Sequence, residues 1–307
     1  MSIKSKLIVV TKNTVADIGE WPNIGAIALE TFLVAIDSSD RYLHAKEFRE
    51  RVKNHFKLPV KYVIITHYHA DHIGGLDAFT NSTIICSDHT AKKIRIKTLT
   101  PFTDQFIIQD KNQMVEIYHS GGHTAGSSFV YSPKDRTIFA GDLVIADRFP
   151  PYGADSTCDP DLWIRALERM KAFRPTKIIP GHGSILNGWK ELDKHLFCLN
   201  NLCKSIKEAI HDNIKPSKVE ITDFFGEFSK NWAKVTVPRW YSFYKLKEEL
   251  PKILDEFKAR TSERNKEKLA KMTLRDLGII ADYLGIEING KKENRIALII
   301  NHINESR

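Results

Sequence analysis

A cluster of histidines and one aspartate follows a short apolar segment in the first third of the chain. His67, His69, Asp71 and His72 stand in the order H-x-H-x-D-H, directly after the apolar run 60–65. The β-branched residues of that run predict a buried strand, and side chains two apart on an extended chain point the same way. Imidazole and carboxylate groups suit zinc and other divalent first-row metals. The spacing therefore predicts a metal site at a strand end rather than a polar surface loop.

Two glycines and a polar turn flank this motif. Because Gly74 and Gly75 allow backbone freedom, they predict a tight turn before a helix that starts at Leu76. The motif would then lie between a strand and a helix, where sites usually lie in open α/β sheets. Upstream, the acidic and hydroxyl side chains of residues 37–40 are predicted to cap a helix that extends through Val52.

Three later segments add further ligand residues, each beside a glycine and after a strand-like run. His123 lies in G-G-H-T-A-G-S, Asp142 in A-G-D and His182 in P-G-H-G. Together with the first motif, read as T-H-x-H-x-D-H-x-G-G, and in this order, these segments resemble the signature of the metallo-β-lactamase superfamily. The resemblance covers about residues 5–190, and every ligand position of the two-metal pattern is filled.

The resemblance implies an α/β fold with four αββα layers, the metallo-β-lactamase fold, followed by a C-terminal helical extension. It also implies a binuclear centre with two Zn²⁺, with iron as the alternative metal. One metal would be held by His67, His69 and His123, the second by Asp71, His72 and His182, and Asp142 would bridge the two.

The function that this resemblance implies is that of a metal-dependent hydrolase similar to the glyoxalase II-like and lactonase-like members. A metal-bound hydroxide would cleave an ester, thioester, lactone or related bond of a small molecule. Asp71 is expected to orient the hydroxide or to carry a proton to the leaving group. A β-lactamase is disfavoured, because nothing marks export and Asp142 stands where the commonest zinc lactamases carry cysteine.

Two other activities stay open at this point. Persulfide dioxygenases of the same superfamily share the ligand set but use a single iron, and imidazole and carboxylate suit iron as well. A metal-dependent nuclease or phosphodiesterase, assisted by a nucleic-acid-binding tail, is the other alternative. A basic net charge of +8 permits that interpretation without demanding it.

Composition favours a soluble, cytoplasmic protein. The chain has 307 residues, of which 42% are hydrophobic and 27% charged, values ordinary for a globular protein. The apolar run 7–10 is too short for the core of a signal peptide, and no later run could span a bilayer. The four cysteines form no C-x-x-C pair, which favours reduced thiols; they are Cys86, Cys158, Cys198 and Cys203.

Two loops hold candidate substrate-binding residues. Trp21 lies in a polar loop before the second strand-like region, where the alternative is an aromatic residue that packs on the core. The segment 147–155 leaves directly from Asp142, and its prolines and glycine exclude regular structure. Its candidate contacts are Arg148, Phe149 and Tyr152.

The sequence predicts four regions. Leucine and isoleucine recur at helical spacing over 192–210, which predicts core packing, with a homodimer seam as the alternative. The tail resembles the helix-extended-helix modules of SAP and Rho-N type, in which Lys291, Lys292 and Arg295 would contact phosphates, although a small-molecule substrate is preferred to nucleic acid. The predicted regions are a catalytic core at 1–190, a helical extension packing on that core at 191–258, a linker at 259–271 and the module at 272–307.

Overall fold

The computed structural model describes residues 6–19, 22–94, 96, 99–153, 155–221, 224, 226, 229–286, 288 and 291–306. They fall into two compact units. The first unit lies within residues 1–151, 158–201 and 223–230, and the second lies within 152–157, 202–222 and 231–307.

Two β-sheets form the centre of the first unit. One has seven strands in sequential order, antiparallel from β1 to β4 and parallel from β4 to β7. Its strands are β1 (Lys6–Val9), β2 (Thr14–Ile18), β3 (Ile24–Ala28), β4 (Leu33–Ile36), β5 (Val60–Ile65), β6 (Thr83–Ser87) and β7 (Leu99–Phe102). The other has five strands in the order β12-β11-β10-β9-β8, antiparallel except for the parallel pair β11–β12. Its strands are β8 (Gln105–Asp110), β9 (Gln113–His119), β10 (Ser128–Ser132), β11 (Thr137–Ile145) and β12 (Lys177–His182).

The helices lie between and after these strands. They are α1 (Tyr42–Phe56), α2 (Ala70–Ile73), α3 (Asp88–Ala91), α4 (Pro160–Ala172), α5 (Glu191–His211), α6 (Ser229–Ala259), α7 (Ser262–Ala270), α8 (Leu274–Leu284) and α9 (Lys292–Glu305). Short 3-10 helices span Leu76–Phe79 and Pro216–Lys218. Within the described part of the chain, no helix has an apolar stretch long enough to cross a bilayer.

The two sheets pack face to face in the first unit. Ile27, Val34 and Ile64 of the seven-stranded sheet share one buried core with Val115 and Phe139 of the five-stranded sheet. Because both faces of the central strands are covered, their sequences are nearly continuous apolar runs rather than alternating patterns.

Helices cover the two outer faces of this pair of sheets. Phe48 and Val52 of α1 pack into a second core with Ile65 and neighbouring residues of the seven-stranded sheet. On the five-stranded sheet, the indole Nε1–H of Trp163 in α4 donates a hydrogen bond to the carbonyl oxygen of Leu143 at 2.8 Å. The layer order is therefore helix, sheet, sheet, helix, and the predicted fold class with its C-terminal helical region is confirmed.

The second unit is helical in its described residues. Trp240 and Phe257 of α6 and Leu269 of α7 are buried, and the Asn265 side chain donates to the carbonyl of Phe257 at 2.7 Å. The predicted division into four regions stays a prediction, but the stretch 259–271, expected as a linker, contains α7 with its buried Leu269.

The start of α1 differs from its prediction. Residues 37–40 do not cap the helix; Arg41 occupies the N-cap position, with no capping hydrogen bond from its side chain. Two of the predicted capping residues, Asp37 and Ser38, instead hydrogen-bond to Thr66 and His72 of the histidine motif.

Close packing between the sheets leads to a stability prediction. A Cβ atom added to Gly25 of β3 would overlap the ring of Phe139 on the facing sheet. We expect Gly25→Ala to destabilise the protein by about 1–3 kcal/mol, because the ring has no free volume to enter. Denaturant unfolding measures this change.

The matched control is the double variant with Phe139→Leu, in which the smaller side chain leaves room. Adding Gly25→Ala to Phe139→Leu should lower the free energy of unfolding much less than adding it to the wild type. Equal costs in both backgrounds would contradict the packing explanation.

Candidate metal centre

The predicted ligands reach one place from both sheets. Strand β5 delivers His67 and His69, and the short helix α2 carries Asp71 and His72. These four residues follow the carboxyl end of a parallel strand, as the sequence predicted.

The remaining ligands come from the five-stranded sheet. His123 lies in the loop between β9 and β10, and His182 is the last residue of β12. Asp142 lies within β11, where the pairing with β12 shifts register on both sides of Gly141. Gly141 has a φ of +50°, which favours glycine, and such an irregularity redirects the next side chain. The bulge thus accounts for the direction of the Asp142 carboxylate.

One group comprises His67, His69, His123 and Asp142, with potential ligand atoms all within 4.8 Å of one another. Nδ1 of His69 lies 3.0 Å from Nε2 of His123, and Nε2 of His67 lies 3.8 Å from Oδ2 of Asp142. The His67 Nε2 atom is buried and has no hydrogen-bond partner among the residues that the structure describes. A buried polar atom without a partner is costly, and a cation would satisfy it.

A second group comprises Asp71, His72 and His182, again within 4.8 Å. Oδ2 of Asp71 lies 3.2 Å from Nε2 of His182 and 3.6 Å from Nε2 of His72. The composition of both groups, imidazole nitrogen with carboxylate oxygen, fits zinc and other divalent first-row metals. The residues therefore fit the ions that the sequence implied.

Asp142 belongs to the first group and also reaches the second. Its Oδ1 atom is 3.1 Å from Nε2 of His72 and 3.3 Å from Nε2 of His182, while Oδ2 is 3.5 Å from Nε2 of His123. One carboxylate thus has one oxygen directed at each group. This is the arrangement that a bridging ligand requires.

Asp37 supports the site, and sequence reasoning missed it. Its carboxylate accepts hydrogen bonds from the backbone N–H and the hydroxyl of Thr66, both at 2.8 Å. Nδ1–H of His72 donates to it at 2.8 Å as well, so Nε2 is the nitrogen that faces Asp142 and that could bind a metal in place of its proton. The available signal was its position: Asp37 directly follows β4, the parallel neighbour of the strand that carries the motif.

The two glycines after the motif have a different role from the predicted one. Gly74 and Gly75 have φ values of −63° and −99°, which other residues also adopt, so backbone freedom is not what they supply. A Cβ atom on Gly74 would collide with the carbonyl of Asp40, and one on Gly75 with the carbonyl of Ser38. The glycines are needed because two backbone segments approach closely here.

Burial and mutual charge shift the titration of the ligands. Burial and repulsion from His72 lower the pKa of His67 well below its usual value. Burial would also lower the pKa of His182, but attraction to Asp142 and a hydrogen bond with Asp71 raise it to about 9. Burial opposes ionisation of Asp142, yet His182 and His72 hold its pKa well below the usual carboxyl range.

The candidate substrate residues do not all present a side chain to solvent. Trp21 lies outside the described residues. Phe149 is only 2% exposed, and its N–H donates to the hydroxyl of Ser229 at 3.2 Å. Tyr152 is 41% exposed and belongs to the second unit, where its ring lies 6.0 Å from that of Trp232. Arg148 is partly buried, and the binding roles of all these residues stay predictions.

The raised pKa of His182 predicts how metal affinity depends on pH. Below pH 9 this imidazole is protonated in the metal-free protein, so a metal must displace its proton. Lowering the pH from 9 to 7 should weaken binding by about tenfold per pH unit for each displaced proton. Competition with a zinc chelator at several pH values, corrected for the chelator's own protonation, measures this. An affinity that does not change over this range would contradict the assignment of His182.

Comparison with known proteins gives one family match and several similar proteins. Residues 36–182 match the family model described as the metallo-beta-lactamase superfamily. A segment of 136 residues is 25% identical to the beta-lactamase-like protein 2 homolog of Caenorhabditis elegans and covers 42% of this chain and 44% of that protein. A segment of 162 residues is 30% identical to a metallo-beta-lactamase type 2 of Bacillus sp. (strain 170) and covers 50% and 63%. An atrochrysone carboxyl ACP thioesterase of Cryptosporiopsis sp. is 26% identical over 132 residues, covering 42% and 38%. The chain thus spans about half the length of these relatives.

A solved structure shares the fold. The metallo-beta-lactamase from Pontibacter korlensis superposes with a TM-score of 0.56 at 21% sequence identity, covering 64% of this chain and 100% of that one. The family match, the fold and the order of the ligand residues agree with one another. Over residues 36–182, the chain is therefore similar to members of the metallo-beta-lactamase superfamily.

Proposed function

We propose that this protein is a binuclear metal-dependent hydrolase, with two Zn²⁺, that cleaves an ester, thioester or lactone bond of a small molecule. The observation that carries the proposal is the position of Asp142, which belongs to one ligand group and reaches the other, with one oxygen near each. When bound, two such metals supply Lewis acidity and lower the pKa of water to about 7, which provides a nucleophile without serine or cysteine.

The second ligand group is as complete as the first, so the site has ligands for two metals. The potential ligand atoms of Asp71, His72 and His182 lie within 4.8 Å of one another. The orientation of His72 by Asp37 supports the same interpretation, because a hydrogen bond of this kind fixes the ligating nitrogen of an imidazole. Because the iron dioxygenases share this ligand set, metal analysis is what separates the two activities.

Asp71 is the residue best suited to move a proton. Its side chain is 30% exposed, unlike those of His72 and Asp142. Burial would raise its pKa, but the hydrogen bond with His182 and the charge of His72 lower it. The carboxylate is therefore ionised at neutral pH and can accept a proton from the attacking water and pass it to a leaving group.

The relatives support acyl chemistry but differ in their substrates. The names of two similar proteins describe an acyl carrier protein thioesterase and a β-lactamase. We favour the ester or thioester class for this chain, because Asp142 stands where the commonest zinc β-lactamases carry cysteine. Ester and thioester bonds both react through attack of water on a polarised carbonyl, so the same ligand groups can serve either bond.

The proposed function predicts metal content and substrate class together. Protein purified without added metal should contain two equivalents of zinc, and it should hydrolyse thioesters, esters or lactones faster than phosphodiesters or a chromogenic cephalosporin. Metal analysis and a parallel substrate screen measure this. One equivalent of iron together with oxygen consumption on glutathione persulfide would replace this proposal with the dioxygenase. Preferred cleavage of phosphodiesters, or of the cephalosporin, would overturn the choice of substrate class.

Asp71→Asn tests the proton-transfer role. The amide keeps the size of the carboxylate and one potential ligand oxygen but cannot accept the proton, so kcat should fall by about 10²–10⁴-fold. Metal analysis must accompany the kinetics, because a variant that loses metal says nothing about proton transfer. The matched control is Asp77→Asn, a nearby acid outside both ligand groups, which should keep wild-type kcat. Full turnover by metal-loaded Asp71→Asn would exclude the role.

A further inference from the structure

A chain of buried polar side chains lies beside the metal-ligand groups but outside them. The hydroxyl oxygen of Ser39 is 2.7 Å from Nδ1 of His44, and Nε2 of His44 is 3.2 Å from Oδ2 of Asp17. The guanidinium of Arg51 also contacts Asp17. Ser39, His44 and Asp17 are each at most 4% exposed. Burying these groups is costly, so the arrangement needs an explanation.

Nucleophilic catalysis is not that explanation. Serine, histidine and aspartate in this order form the relay of many hydrolases, but a nucleophile must meet its substrate. Ser39 has no exposed surface, and its hydroxyl also lies 3.0 Å from Oδ1 of Asp40. The side chains of Ser39, His44 and Asp17 (the Ser39 relay) are therefore enclosed within the fold.

The Ser39 relay is attached to a turn with unfavourable backbone conformations. Asp37 and Ser39 have φ values of +58° and +69°, in the left-handed region that favours glycine. Such conformations persist only when the surroundings hold them. The His44 ring lies on α1 and Asp17 lies on β2, so the relay anchors the turn to two regular elements. The hydroxyl of Ser39 is the only part of the relay that belongs to the turn.

Other polar groups of the turn 37–40 form hydrogen bonds with the metal-ligand motif. The N–H and the hydroxyl of Ser38 both donate to the carbonyl oxygen of His72, at 2.9 and 3.0 Å. The N–H of Gly75 donates to the carbonyl of Ser39 at 3.1 Å. The carboxylate of Asp37 accepts the Nδ1–H of His72. The side chains of Asp37 and Ser38 thus face the ligand motif, whereas that of Ser39 faces the relay.

We propose that Ser39, His44 and Asp17 are positioning residues of the metal centre, which hold the turn 37–40 in the conformation that lets Asp37 orient His72. The inference rests on the proposed function, since it assumes that His72 is a ligand. The relay acts through the backbone of the turn rather than through contact with the metal or substrate. Its loss should weaken metal binding without removing any ligand.

Two substitutions at Ser39 separate this role from a merely structural one. Both Ser39→Ala and Ser39→Gly remove the hydroxyl, but only glycine adopts the left-handed conformation without strain. We expect Ser39→Ala, like His44→Phe, to weaken zinc affinity by about 10–100-fold, the range seen when support of a ligand is lost. Ser39→Gly should stay within about fivefold of wild type, a loss that reflects only the extra backbone freedom of glycine. Chelator competition on the full chain measures these affinities.

The matched control is Val52→Ala, a core truncation on the same helix as His44. It should lower thermal stability while zinc affinity stays within about twofold of wild type, because the ligands and the turn 37–40 are untouched. If Val52→Ala lost as much zinc affinity as Ser39→Ala, the effect of Ser39→Ala would come from lost overall stability, and the positioning role would be wrong. Ser39→Ala with wild-type affinity, or Ser39→Gly as weak as Ser39→Ala, would also overturn the proposal.

A measurement on metal-free protein distinguishes this proposal from the proposed function. The Nδ1–H proton of His72 should be protected from solvent exchange by its bond to Asp37, and NMR detects that proton. Protection should fall in Ser39→Ala and persist in Ser39→Gly and Val52→Ala. If wild-type protein bound no zinc or iron while this pattern held, the proposed function would fail, and the role of the three residues would be limited to orienting the His72 ring. An unchanged signal in Ser39→Ala would remove the positioning role whatever the metal content.

Discussion

The structure around the candidate site depends on keeping Asp142 ionised in a place from which water is largely excluded. Its two oxygens lie within 3.8 Å of nitrogen atoms from four imidazoles, and attraction to them outweighs the cost of burial. The same attraction raises the pKa of His182, while burial and repulsion from His72 lower the pKa of His67. A divalent cation that binds to such a cluster displaces protons from its imidazoles. Metal affinity therefore depends on pH.

Much of the candidate site was predictable from local sequence. The seven candidate ligand residues lie in short glycine-containing motifs in a fixed order, and the strand before His67 follows from its apolar run. The two-sheet fold was implied by the resemblance to a known family rather than by apolar patterns. Asp37 was not predictable from its neighbours, because an acidic residue before a helix also fits a capping role. Its function arises only when β4 and β5 pair in parallel and bring residues 37 and 66 together.

The glycines after the motif show the same limit of local reasoning. Gly74 and Gly75 suggested a turn with unusual dihedral angles, and the structure has ordinary ones. Their small size matters because the carbonyls of Asp40 and Ser38 lie against them, a contact between segments far apart in sequence. The Ser39 relay was equally hidden, since Asp17 comes from a strand and His44 from a helix. Substrate preference depends on loop shapes that composition alone does not encode.

The division of the ligands between two sheets has a consequence for biosynthesis. His182 ends the last strand of the second sheet, so a nascent chain that already displays His67 and His69 lacks this ligand of the second group until β12 has left the ribosome. Pairings over such sequence distances form late and slowly. The candidate centre thus differs from a zinc finger, in which one short segment supplies all the ligands. A complete set of ligands exists here only once both sheets have been assembled.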